Sequence, residues 1–305
     1  MFGSLSREAR GAAVSVASSV LFAGIYFVTP FLAPAPAEAI WGLRNLFQIP
    51  IIVLALFAVR QSHLAAELWA RIRRRPVLAL GVLACGLLVA LQLWVFTWAP
   101  LHGSGLQVAL GYFLLPLVLV LVGKFVYRDR LVWWQWLAAG IAAVGVVFEI
   151  VRVGEVSWET LLVALGYPVY FVLRRALGFA HLGGMLFEFI AMAPFAVFFL
   201  ARELLTGSSI SENPTLLWAG PLFGISTGFA LVLYIAASRM LTISLFGLLS
   251  YVEPALLVVS SMLNGERIDP HEFPLYGMIW LAVLVLIVGG ISVVLRRRRT
   301  GPALE

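Results

Sequence analysis

Ten stretches of about 20 apolar residues divide this chain, and its basic residues fall almost entirely on one side of them. The N-terminus and every second connection hold 17 of the 21 lysines and arginines. The intervening connections hold three, and Arg44 lies inside a stretch. Loops that keep Lys and Arg remain on the cytoplasmic face, so the alternation speaks to orientation as well as identity. The expectation is a polytopic membrane protein with both ends inside.

The spans read from this pattern are 11–33, 40–59, 77–99, 105–126 and 132–151, then 157–173, 183–201, 215–237, 244–263 and 274–295. Unpaired backbone groups are too costly in hydrocarbon for anything but helices or a closed barrel, and the segments lack a barrel's alternation. An all-α architecture follows. Only 12% of residues are charged, about half the share of a soluble domain. The spans occupy most of the 305 residues, leaving no room for a soluble catalytic domain. The net charge of +6 is accounted for by one-sided retention of basic residues, so no nucleic-acid partner is expected. Cys85, the single cysteine, lies in an apolar run and reads as a packing residue. Ala35-Pro36-Ala37 resembles a signal-peptidase site, but the run before it is longer than a signal peptide's apolar region, so retention of the first span is expected. Trp94, Trp98, Trp133, Trp134 and Trp136 stand near span ends, where an aromatic belt belongs.

The two halves share short motifs. Leu110–Pro116 is followed by Arg128-Asp129-Arg130, and Leu248–Pro254 by Gly265-Glu266-Arg267. Pro116 to Asp129 is 13 residues and Pro254 to Glu266 is 12. A weaker match sets Pro50 against Pro194 and Arg44 against Glu188, both at an offset of 144. A repeat of five spans is odd in number, so the second copy enters the membrane from the opposite side. Residues 1–151 and 152–305 are therefore expected to be two inverted five-helix repeats, the plan of secondary transporters with a midplane substrate site.

An ionisable group inside a span costs roughly 2.5–3.5 kcal/mol on insertion scales and needs a reason. Arg44, Glu188 and Glu253 qualify. Glu253 falls about 13 Å into its span, near the midplane, beside the helix-distorting Pro254; Pro116 is the matching proline of the first half. A carboxylate there suits a proton or cation, against a structural bond to freed backbone. Glu188 is a second coupling residue, with snorkelling to the inner face as the rival reading. Arg44 is placed to hold a carboxylate or phosphate through its planar fork, or else to snorkel outward. Trp41, Arg44 and Gln48 fall at i, i+3 and i+7, and Asn45 adds to the polarity of that helix. Lipid would not tolerate such a face, so it points into protein or water. Gln92, Tyr112, Tyr167, Tyr170 and Tyr251 are further inward candidates, as are Phe223, Thr227 and Tyr234 in the eighth span. Gly220, Gly224 and Gly228 in that span read as a helix-packing stripe. No P-loop, HExxH or paired-cysteine metal motif is present, so neither a metal, a cofactor nor a catalytic centre is expected.

On Leu110–Pro116 with Arg128-Asp129, and on Glu253-Pro254 with Gly265-Glu266-Arg267, the chain resembles the EamA-type drug/metabolite transporters, most closely their RarD branch. The resemblance extends to Glu38–Arg44, Leu161–Arg175, Gly184–Glu188 and the Arg-rich tail. It implies ten helices in inverted repeats, a bacterial inner membrane, no bound cofactor, and carriage of small metabolites, amino acids or drugs, often outward. Arg44 matches an arginine of the family's second span, and Glu188 a glutamate of its seventh. Asp129 replaces the usual glutamate, and Glu253 stands where RarD-like chains can carry an uncharged residue.

The function expected is secondary transport of a small-molecule substrate, with export and proton coupling as the finer reading and lipids as the surrounding partner. The oligomeric state stays open. A membrane scaffold or regulator, and a lipid-modifying enzyme, are the alternatives.

Overall fold

In the computed structural model, residues 7–128, 132–153, 156–241, 246 and 249–300 are described. Among them there is no strand. The helices are α1 (Arg7–Val28), α2 (Ala37–Ala58), α3 (Ser62–Arg74), α4 (Val77–Leu101), α5 (Gly105–Val126) and α6 (Trp133–Val153). They continue as α7 (Trp158–Ala176), α8 (Leu182–Thr206), α9 (Ser209–Glu212), α10 (Leu216–Met240), α11 (Val252–Leu263) and α12 (Phe273–Thr300). Among the described residues, seven helical segments are long and apolar enough to cross a bilayer. The apolar part of α6 and the whole of α11 are shorter. The protein is a multi-pass membrane protein. The repeat residues Asp129, Arg130 and Leu248 lie outside the described residues.

Two features depart from the sequence reading. The basic connection after the second span is a helix, α3, rather than a loop. Leu68 is buried on its inner side, Trp69 stacks on Phe187 at 6.1 Å, and Arg71 donates to the carbonyls of Leu177 and Gly178. Helix α3 lies in the chain between two helices long and apolar enough to cross a bilayer. The ninth span is also not one uninterrupted helix. Ser250 and Tyr251 form a turn, α11 begins at Val252, and Glu253 lies in its first turn. Pro254 is then the third residue of a helix, where it has no intrahelical bond to break. It lies four residues after Ser250, the first residue of that turn. Helix α5, by contrast, runs without interruption through Pro116.

The chain forms two compact units. One comprises Met1–Val20, Leu106–Leu165 and Leu233–Glu305; the other comprises Leu21–Gly105 and Gly166–Val232. In the first, α6 and α12 pack together, with Gly145 beside Leu275 and Met278 and Gly289 beside Trp134. As one number rises the other falls, so these helices are antiparallel. Glu266 accepts a hydrogen bond through Oε2 from the amide of Leu106 at 2.8 Å, placing a carboxylate at the α5 N-terminus. Gly265 makes the turn into it at φ +95°, a conformation open chiefly to glycine.

In the second unit, α2 and α8 are in contact along their length. A Cβ on Gly42 would lie 2.6 Å from the Ala196 carbonyl oxygen, while Asn45 donates to the carbonyl of Phe189 at 3.1 Å. These helices too are antiparallel. On the other side of α2, Gly220, Gly224 and Gly228 of α10 face Leu43, Phe47 and Ile51 in register, so α10 runs parallel to α2. The glycine stripe is a packing surface. Helix α4 meets Leu177 at Gly81, and Glu188 and Met192 at Gly86, running in the sense of α8.

Candidate functional site

The polar residues of α2 are all withdrawn from the surface. Trp41, Arg44, Asn45 and Gln48 are between 2% and 5% exposed, beside apolar α8 residues such as Met192 and Ala196. Arg44 does not snorkel. Its Nη1 donates to Thr97 Oγ1 at 2.8 Å, and its Cζ lies 5.2 Å from the Phe96 ring centroid and 5.9 Å from that of Phe223. Thr97 in turn donates to the Leu93 carbonyl on its own helix. Two aromatic faces and a hydroxyl thus hold the guanidinium in place among α2, α4 and α10. Gln92 is 1% exposed, against Gly166 of α7. Trp94 donates through Nε1 to Glu38 at 3.0 Å, which ties it to the first turn of α2 as well as to a membrane-edge position.

A second cluster joins α7 to α8. Glu188 is wholly buried, so the snorkelling reading fails. Its Oε2 accepts from the Tyr170 hydroxyl at 2.8 Å, and its Oε1 lies 2.9 Å from Arg174 Nε. Arg174 stacks over the Tyr170 ring at 5.1 Å and donates through Nη2 to the carbonyl of His181. Tyr170 and Arg174 are four residues apart and so share a face of α7. His181 closes the connection by accepting, at Nδ1, the amide of Gly184 at the start of α8. Burial first, and then the Arg174 and Arg71 guanidinium groups, hold its imidazole below the usual range, favouring the neutral form that this cap requires.

The other expected residues are distributed less simply. Tyr167 stacks on Phe171 beside the same cluster. Thr227 donates to the carbonyl of Phe223 four residues earlier, so its hydroxyl is used within α10. Tyr234 does not join them. It is 38% exposed and packs edge-on to Phe246 in the other unit. Tyr112 and Tyr251 also belong to that unit, Tyr251 buried just before α11. Three residues with clear partners in these clusters were not anticipated: Phe96, Thr97 and Arg174. Spacing offered a signal for Arg174, four positions after Tyr170; Phe96 and Thr97 carry none.

Long apolar helices packed around a polar, arginine-bearing face are the build of a multi-pass membrane transporter. An uncharacterized transporter of Pasteurella multocida is 36% identical over 95% of this chain and 99% of its own length. The chloramphenicol-sensitive protein RarD of Pseudomonas aeruginosa is 37% identical, covering 90% of this chain and 93% of its own. An uncharacterized transporter of Haemophilus influenzae is 35% identical, with coverages of 92% and 94%. The chain belongs to the RarD-like family of transporters. No family model and no solved structure matches it.

Proposed function

We propose that the protein is a secondary transporter that exports small organic metabolites, amino acids or drugs across the bacterial inner membrane by alternating access, with protons as the coupling ion. Arg44 binds an anionic group of the substrate. The observation carrying this reading is the buried, π-flanked guanidinium on a polar helix face that lipid could not solvate. Glu253 and Glu188 are the carboxylates available for coupling.

Alternating access needs two halves of opposite sense, here residues 1–151 and 152–305, with ten crossings in all. The helix directions support that plan. Counterparts α2 and α8 are antiparallel, as are α6 and α12. The parallel pairs α2–α10 and α4–α8 exchange under the same operation. Asn45 and the Phe189 carbonyl meet at a separation of 144 residues, the offset of the weaker repeat.

Reconstituted vesicles test the reading. Flux of short-chain organic acids should be driven by a pH gradient and fall at least about tenfold in Arg44→Ala, the loss expected when a charge-assisted bond worth about 1.5–3 kcal/mol is removed. Arg44→Lys should retain part of it, because the charge survives without the planar fork. Unchanged flux in Arg44→Ala removes the anion role, and flux indifferent to the gradient removes proton coupling.

A further inference from the structure

Two polar atoms on α2 bracket Arg44 and are unsatisfied by protein. Trp41 Nε1, a donor, and Gln48 Oε1, an acceptor, are buried and meet no hydrogen-bond partner among the described residues. Their residues are 5% and 3% exposed. A buried polar atom left unpaired is costly, and two on one helix face point to something that fills them. The spacing orders them. Trp41, Arg44 and Gln48 share a face at i, i+3 and i+7, with Gln48 about 6 Å beyond Arg44 along the axis and Trp41 about 4.5 Å before it.

Donor and acceptor define a complementary ligand. We propose that the transported solute is a short-chain acid whose carboxylate lies on Arg44 and Trp41 Nε1, and which carries an N–H or O–H donor several bonds away to meet Gln48 Oε1. Trp41 and Gln48 are specificity-determining residues. Trp41 adds a neutral donor to the acid subsite. At the far end the buried atom without a partner is the Gln48 carbonyl oxygen, so a solute ending in an ether or alkyl group leaves that oxygen unpaired. Such sites discriminate strongly, because the penalty falls on the protein's own buried group. The inference rests on the anion role of Arg44 and adds the second functional group of the substrate and its distance from the first.

Calorimetric titration of the detergent-purified full chain with valerate, δ-methoxyvalerate and δ-hydroxyvalerate tests it. These probes share an acid and differ only at the far end. In the wild type, δ-hydroxyvalerate should bind about tenfold more tightly than δ-methoxyvalerate, the effect of one satisfied buried acceptor. Gln48→Met should bring the two to within about twofold of each other by removing that acceptor at similar volume. Trp41→Phe should weaken all three acids by a common factor. Equal wild-type affinities overturn the inference without needing any variant to fold, and so does a preference that Gln48→Met leaves in place. If all three acids bind with equal strength and lose it in Arg44→Ala, the transport reading stands. Gln48 is then served by an ordered water, and this proposal fails. If none of the three binds, both fall.

Discussion

Arg174 and Arg175 are adjacent in the chain yet have different surroundings. Arg175 is exposed, where a basic residue at the end of a span is expected, while the Arg174 side chain is 12% exposed and paired with a carboxylate that is fully buried. The sequence alone could not separate them, because both occupy a span end and the bias toward basic loops explains either one. Arg44 was partly legible: a charge among Trp41, Asn45 and Gln48 marked a polar helical face, while snorkelling outward stayed open until its burial was seen. Its partners Phe96 and Thr97 were not, being ordinary residues in an apolar stretch. The buried ion pair has a consequence for stability: removing one partner strands the other in a low-dielectric site. Arg174→Gln should therefore lower the stability of the detergent-solubilised protein by about 3–5 kcal/mol, and Arg174→Met with Glu188→Met should recover most of it. Thermal unfolding of the wild type and these two variants checks this, and a double variant no more stable than Arg174→Gln would contradict it.

At the level of elements, hydropathy placed the long helices well and misjudged two segments. Helix α3 was hidden because its apolar positions serve a single stripe and its basic residues read as loop. The interruption just before Glu253 was missed because an apolar run of span length was taken as one helix. The run 244–263 contains a turn at Ser250 and Tyr251, and hydropathy has no term for a turn made of residues that hydrocarbon accepts. Helix contacts set a clearer test than helix limits. Gly42 lies where the Ala196 carbonyl approaches, and backbone cannot rotate aside as a side chain can. Gly42→Ala should cost about 1–3 kcal/mol by overpacking. Gly24 on α1 has nothing within 4 Å of its Cβ direction. Gly24→Ala should be stabilising by about 0.5–1 kcal/mol, since alanine loses less backbone freedom in a helix. Paired melting curves distinguish the two, and equal effects would show that the α2–α8 approach is looser than described.

For the whole molecule, the one-sided distribution of basic residues makes a statement about topology that chemistry can read directly. In a Cys85→Ala background, cysteines introduced at Gln61 and Ala180 should react only with reagents admitted to the cytoplasmic side. Cysteines at Ser104 and Asn213 should react from the opposite side in intact cells. Labelling of Gln61→Cys and Ser104→Cys from the same side would refute the orientation, and with it the opposed halves on which alternating access depends. The proposed repeat shows in sequence only as scattered motifs, because opposite insertion would preserve helix packing and leave most side chains free to diverge. The bond from Asn45 to the Phe189 backbone spans the same offset as the weaker motif match.

The carboxylate at the head of α5 belongs to a residue synthesised long after the helix it caps: 160 positions separate Leu106 from Glu266. A ribosome thus delivers α5 to the bilayer before the group that receives its leading amide exists. The early half of the nascent protein must wait in the membrane without that carboxylate until translation passes Gly265. Biogenesis of this carrier is completed from its far end.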